Sequence, residues 1–200
     1  MTHTPQSKRH SGRLVSSLVL AAALAFGATA CSGSGNGDKG GSASVAPDAK
    51  KATTALNAGL KAHAAGDLKT ASADYHQTLK YDPNNKFAFY NLALIDASDS
   101  NYGLAEEKYR SAIKSDAKYE PALFNLAILR TNSDPTEAIG LYKRAVAANE
   151  KDAAAWLNLG LLLRQEGKAT AGNKAVLKAI ALNPKLVDPK GPAGGKSSTG

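Results

Sequence analysis

The sequence is poor in the residues that build disulfides, metal sites and catalytic centres. It has one cysteine, Cys31, in 200 residues, which excludes an internal disulfide and a zinc site built from cysteines. His63 and His76 lie thirteen positions apart, without a neighbouring cysteine or a pair of carboxylates. We therefore expect no metal and no cofactor. Because paired catalytic groups are missing as well, we predict that the chain is not an enzyme.

A concentrated basic face is also missing, although the formal net charge is +8. Lys8, Arg9 and Arg13 carry three of the positive charges, in a segment without acidic residues. Residues 52–186 hold 17 basic and 14 acidic side chains with the two signs interspersed, which is typical of a solvated surface. Nucleic-acid binding requires a basic face or stripe, so we predict no nucleic-acid partner.

The first 30 residues have the organisation of an export signal. A basic segment that ends at Arg13 is followed by the apolar and small residues 14–30, and then by Cys31. A basic region, an apolar stretch and small residues at a cleavage site together describe a signal peptide. We predict that residues 1–30 are this signal and that the rest of the chain lies on the outer side of the membrane.

The segment from Ala28 to Cys31 resembles a bacterial lipobox, although Ala28 stands where leucine is usual. The resemblance implies that Cys31 is lipidated and that the mature chain starts there, anchored on the extracytoplasmic face of the cell membrane. Two alternatives stay open: ordinary secretion after an A-x-A site, or an uncut single-pass anchor. The following residues, 31–51, are rich in glycine and serine and predict a flexible tether.

Beyond the tether, the sequence repeats itself with a period of about 34 residues. In each unit, apolar residues with i, i+3, i+7 spacing precede a small residue, and a second apolar pattern follows. The units are 52–85, 86–119, 120–152 and 153–186. Turns inside the hairpins are predicted at Gly66-Asp67, Asn101-Tyr102-Gly103, Ser133-Asp134-Pro135 and Gly167-Lys168.

The fourth unit shows the pattern most clearly, with Trp156, Leu159 and Gly160 early, Ala179 later and Pro184 at its end. This pattern resembles the tetratricopeptide repeat. The resemblance implies an all-α fold, namely an α-solenoid of four helix-turn-helix repeats wound as a right-handed superhelix. Stacked hairpins of this kind bury a continuous core that a single hairpin cannot form.

In the same family, the first helices of the repeats line a concave groove that binds peptides. One repeat position carries asparagine in all four units, at Asn57, Asn91, Asn125 and Asn158. An amide can pair with a peptide backbone, whereas the alternative is that these residues help the helices to pack. The two roles are compatible. The other predicted groove residues are Tyr90, Leu94, Phe124, Ile128, Leu161 and Arg164.

These features predict a membrane-anchored, extracytoplasmic scaffold that binds a protein or peptide, with a cell-envelope protein as the expected partner. Residues 187–200 are rich in proline and glycine and predict a disordered tail. No capping helix would then follow the last helix, 169–182, which would leave some of Val176, Leu177 and Ile180 uncovered. The alternative function is therefore a structural element that forms homo-oligomers through this end.

Overall fold

The structure, a computed structural model, describes residues 48–189. The expected signal peptide, Cys31 and residues 32–47 of the expected tether lie outside the described residues, as do residues 190–200. Between residues 48 and 189 there are eight α-helices and no strand, which confirms the predicted all-α solenoid of four hairpins. Each helix of this part is too short or too polar to cross a bilayer. The helices are α1 (Ala49–Ala64), α2 (Leu68–Tyr81), α3 (Lys86–Ser98), α4 (Tyr102–Ser115), α5 (Glu120–Arg130), α6 (Pro135–Ala148), α7 (Ala153–Gln165) and α8 (Ala169–Leu182).

Side-chain caps determine where several helices begin. The carboxylate of Asp48 accepts a hydrogen bond of 3.0 Å from the backbone N–H of Lys51, so α1 begins at Ala49. This is three residues before the predicted start of the first repeat, inside the segment expected to be tether. A cap stabilises a helix because it satisfies an N–H group that has no partner inside the helix. The same role falls to Asp67, Asn85, Asp134 and Asp152.

Left-handed backbone conformations close several turns inside the hairpins. Gly66 has φ of 80° and Gly167 has φ of 74°, as the sequence pattern predicts for glycine at these turns. In the second hairpin, the residue with positive φ is Ser100 (φ 63°), while Gly103 lies inside α4. The predicted turn at 101–103 is therefore displaced, because Asn101 serves as the N-terminal cap position of α4.

Small residues allow the two helices of a hairpin to approach each other closely. An ideal Cβ atom at Gly59 would lie 2.7 Å from the ring of Tyr75. One at Gly160 would lie 2.7 Å from a methyl group of Val176. The corresponding residues in the second and third hairpins, Ala93 and Ala127, are fully buried. This repeat position therefore determines the distance between paired helices.

The buried residues form two clusters that run along the stack of hairpins. The smaller cluster joins α2 to α3 and contains Tyr75, Leu92 and Ile95. The larger one extends from Ala93 in α3 to Ala175 in α8. Each helix thus packs against its neighbours in sequence, as expected for stacked repeats. Packing of this type leaves the outer faces of the helices as surfaces for partners.

Candidate peptide-binding groove

The first helices of the four hairpins, α1, α3, α5 and α7, carry all ten predicted groove residues. Asn57 is exposed, and the other nine are half-buried. Two further apolar side chains on these helices are largely accessible, since Leu60 is 41% exposed and Phe87 is 43% exposed. The described part therefore presents apolar and amide groups on the same set of helices, in reach of a ligand.

Two of the four asparagines use their amide groups within the protein. Asn125 donates from Nδ2 to the carbonyl oxygen of Pro121 (2.9 Å) and to the hydroxyl of Tyr90 (3.2 Å). Asn91 donates from Nδ2 to the carbonyl oxygen of Phe87 (2.8 Å). Asn125 therefore links two neighbouring first helices, α3 and α5. Asn91 keeps one N–H bond of its amide for a ligand, so it is the better candidate for peptide contact.

Aromatic side chains form the packed base under this surface. Tyr90 lies edge-on to Tyr119 at 5.5 Å between ring centroids and 5.9 Å from Tyr109. Phe87 contacts Tyr119 in the same edge-to-face manner at 5.7 Å. Burial, and then the negative charge of Glu120, raise the pKa of Tyr90 above its usual value, while its hydrogen bond with Asn125 lowers it. Tyr90 consequently stays neutral at physiological pH.

Arg164 makes polar contacts within the protein. Its Nη1 and Nη2 atoms donate to the two carboxylate oxygens of Asp188 at 2.6 and 2.8 Å. Its Nε donates to the side chain of Asn173 at 2.6 Å. A bidentate pair of this kind is geometrically specific. Arg164 therefore attaches the segment after α8 to α7, and residues 187–189 of the expected disordered tail belong to the described structure.

A carboxyl pair at the starts of α5 and α7 was not predicted from the sequence. Asp152 caps α7 by accepting hydrogen bonds from the N–H groups of Ala154 and Ala155. Burial, a hydrogen bond with Asp152 and the charge of Asp152 raise the pKa of Glu120 to about 8. The signal for this pair was the near-repeat spacing of the two acids, because equivalent ends of neighbouring first helices come together in stacked hairpins.

The C-terminal end of the stack is partly covered. Val176 is fully buried and Ile180 is half-buried, whereas Leu177 is 66% exposed. Of the three residues expected to be uncovered, Leu177 is thus the accessible one. The segment after α8 places Leu186 in a half-buried position, although Val187 remains 79% exposed. No further helix follows α8 within the described residues.

Between residues 48 and 189, no group of three or more histidine, cysteine, aspartate or glutamate side chains is placed to hold a metal ion.

The sequence model of the tetratricopeptide repeat matches residues 56–120 and 128–186, which is more than half of the chain. The chain belongs to the tetratricopeptide repeat family. Proteins of this family are generally non-enzymatic scaffolds for protein interactions.

Two curated proteins illustrate the relationship of this tetratricopeptide repeat protein to others. It is 27% identical over 140 residues to the BBSome complex member bbs-4 of Caenorhabditis elegans, covering 69% of this chain and 30% of that protein. It is 33% identical over 88 residues to the photosystem I assembly protein Ycf3 of Cyanophora paradoxa, covering 42% of this chain and 51% of that protein. The chain thus spans about half or less of the length of these relatives.

Two solved structures superpose on most of the described part. A crystal structure of MamA protein has a TM-score of 0.59 and 26% sequence identity, covering 68% of this chain and 75% of that one. A structure of pilF from Pseudomonas aeruginosa has a TM-score of 0.60 and 23% identity, covering 69% and 64%. At 23% identity, the comparison with pilF shows a shared fold and carries no conclusion about function.

Proposed function

We propose that this protein is a membrane-anchored, extracytoplasmic tetratricopeptide scaffold that binds an apolar segment of a cell-envelope protein. The binding surface is the face of α1, α3, α5 and α7 that carries the predicted groove residues. The observation that carries this proposal is the exposure of Leu60 and Phe87 on the first helices, where the amide of Asn91 donates to the carbonyl oxygen of Phe87. Both are large apolar side chains with more than a third of their surface exposed, so an apolar segment of a partner can contact them.

Two further features support an interaction role. The photosystem I assembly protein and the BBSome complex member that resemble this chain are by name components of assembly or of a complex. The groove helices also offer no Lys or Arg in place of Leu60, Leu94, Ile128 or Leu161. Recognition of a terminal carboxylate is therefore not part of the proposal, and an apolar or mixed segment is the better fit.

Changing Leu60 to lysine is expected to weaken capture of the envelope partner by at least about tenfold, because a charged group would then face an apolar contact. The matched control is Leu104→Lys. Leu104 is 48% exposed and lies on α4, a second helix. The measurement is site-directed photocrosslinking from position 87 in cells, quantified for each variant.

The groove proposal predicts that Leu104→Lys leaves the crosslinked product unchanged and that Leu60→Lys removes most of it. Circular dichroism of both variants should show the helical content of the wild type, because both positions are accessible to solvent. Equal crosslinking in Leu60→Lys and wild type would rule out this face as the binding surface.

Lipid anchoring makes a separate prediction at Cys31. The mature protein is expected to begin at Cys31 and to carry acyl chains, as read from the intact mass of the protein extracted from membranes. Cys31→Ser should prevent this modification, because serine has no thiol to receive the lipid, so the intact mass of this variant should lack acyl chains. A mature chain without added lipid, or one that retains residues 1–30, would contradict the proposed anchor.

Self-association through the C-terminal end is the second candidate function. Its support is Leu177, which is 66% exposed on the last described helix. The contact between Arg164 and Asp188 argues against it, because it holds part of the following segment against this end of the stack. The groove is therefore the preferred surface.

A further inference from the structure

A cleft lies between the second helices of the second and third hairpins. It has a volume of about 480 Å³ and is lined by α4, α5 and α6. Ligand sites in proteins span about 300–1,000 Å³, so the cleft can hold one or two side chains of a partner. The lining contains none of the predicted groove residues. Its floor consists of Ile113, Leu126 and Leu141, and its rim includes Arg110, Lys114 and Arg144.

Gly140 keeps this cleft open. It lies in the middle of α6 and is exposed, and an ideal Cβ atom there would have no heavy atom within 4 Å. Glycine is a poor helix former, and no close helix contact requires it here. At Gly160, by contrast, a close contact does require it. The absence of a side chain at position 140 therefore leaves open space above the lining of the cleft.

Positively charged side chains outnumber negatively charged ones at the rim of the cleft. Glu137 lies 2.7 Å from Arg110 and 2.8 Å from Arg130, and Glu106 lies 2.8 Å from Arg110. These two glutamates balance the two arginines that they contact. Lys114 is exposed, and the described residues give it no ion-pair partner.

Arg144 adds to this excess of positive charge. It is exposed, and its Nη2 atom donates to the carbonyl oxygen of Ala117 at 3.1 Å. This bond orients the guanidinium without neutralising it. Lys114 and Arg144 thus leave a local positive charge beside an apolar floor.

We propose that this cleft is a second docking site, distinct from the groove, and that its occupant is an acidic peptide segment with one aliphatic or aromatic side chain. The apolar side chain enters over Gly140 and contacts Ile113 and Leu141. Carboxylates on either side of it contact Lys114 and Arg144. Charge complementarity of this type orients a ligand and sets its specificity.

A peptide suits the cleft better than an anionic membrane surface does. A membrane surface favours a broad basic face, whereas the basic rim here is interrupted by Glu137. The apolar floor is also recessed, since Leu126 and Leu141 are 1% and 5% exposed. A recessed floor accepts an inserted side chain, which a peptide supplies.

The test is selection of short random peptides on the full chain, followed by fluorescence anisotropy with the enriched peptides. We expect aspartate or glutamate on both sides of a leucine, isoleucine or phenylalanine. The double variant Lys114→Glu/Arg144→Glu should weaken their binding by at least about tenfold. Gly140→Leu should do the same by filling the cleft, whereas Gly103→Leu should not, because Gly103 is equally open but lies outside the lining.

The groove variant Leu60→Lys should bind these peptides as the wild type does, which separates this proposal from the groove. Circular dichroism should show native helix content for every variant. The proposal is overturned if no enriched peptide depends on Lys114, Arg144 and the open position 140. It is also overturned if phosphatidylglycerol vesicles bind in a manner that depends on Lys114, Arg144 and position 140, while no peptide does so.

Discussion

Replacing Gly160 with alanine is expected to lower the free energy of unfolding by about 2 kcal/mol, although only one methyl group is added. An ideal Cβ atom at this position would lie 2.7 Å from Cγ2 of Val176 and 2.8 Å from both the carbonyl oxygen of Gly172 and the backbone nitrogen of Val176. Two of these three atoms belong to the backbone. Rotation of a side chain cannot remove those clashes, so α7 and α8 must move apart.

The expected loss of stability is the difference between the cost of overpacking and the gain in helix propensity. Overpacking a well-packed contact destabilises a protein by about 1–3 kcal/mol, and two backbone clashes place this variant near the upper end. Alanine is a better helix former than glycine by up to about 1 kcal/mol, which offsets part of the loss. In a domain of this size, thermal denaturation followed by circular dichroism should show a midpoint lower by about 4–8 °C.

Gly140→Ala is the matched control, because it makes the same chemical change in the middle of a helix without a close neighbour. This variant should be more stable than the wild type by about 0.5–1 kcal/mol. Opposite signs at the two glycines would show that contact, and not helix propensity, determines the effect at Gly160. A Gly160→Ala protein as stable as the wild type would disprove the close approach of α7 and α8.

The close approach in the fourth hairpin follows from its own sequence. The first three second helices carry an alanine and a tyrosine four residues apart, such as Ala71 and Tyr75. The fourth carries Gly172 and Val176 at the equivalent positions, and both are buried. A smaller pair allows the two backbones to come nearer, so alanine at position 160 is less easily accommodated than the repeat pattern alone suggests.

The repeat pattern was sufficient to predict most of the fold. The last helix was predicted over residues 169–182, and α8 spans Ala169–Leu182. This succeeds because Gly167 and Pro184 delimit the helix by local chemistry. The pattern failed at the α3–α4 turn, where Ser100 adopts the left-handed conformation and Gly103 is helical. Gly103 favours a turn in the sequence, but Asn101 occupies the cap position, so α4 already begins at Tyr102.

Predicting the environment of each site residue required contacts outside the repeat. Repeat phase placed the asparagines on the first helices, since the same position recurs in every unit. It did not reveal that Asn125 donates to Tyr90, 35 residues away, or that Arg164 binds Asp188, 24 residues away. Asp188 follows the last repeat, so no periodicity marks it. The contact between Arg164 and Asp188 depends on how the chain continues after α8.

Glu120 is expected to make stability fall as the pH rises from about 5 to 8. Its pKa is about 8 in the folded protein, against a reference value of 4.5. Between these values the folded state keeps a proton that the unfolded state releases, so rising pH favours unfolding. The contribution is complete below pH 4.5 and is lost by the time the pH passes 8. Burial is the first cause, and the hydrogen bond with Asp152 and its negative charge follow.

Each pH unit between the two pKa values can lower the free energy of unfolding by at most about 1.4 kcal/mol. Glu120 is only half-buried, so solvent screening reduces the loss well below that limit. Glu120→Gln removes the titration and keeps a side chain of similar size. Its thermal midpoint should therefore exceed that of the wild type at pH 8 and should change less between pH 5 and 8.

Glu107→Gln is the control for this measurement, because Glu107 is an exposed glutamate on α4. It removes one negative charge without touching the pair at the starts of α5 and α7, so its pH profile should follow that of the wild type. If the profiles of wild type, Glu107→Gln and Glu120→Gln run parallel from pH 5 to 8, Glu120 does not retain its proton in the folded protein. If the thermal midpoint falls more steeply with pH in wild type and Glu107→Gln than in Glu120→Gln, the pH dependence comes from the carboxyl group of Glu120. The two variants remove the same negative charge, so charge alone cannot explain such a difference.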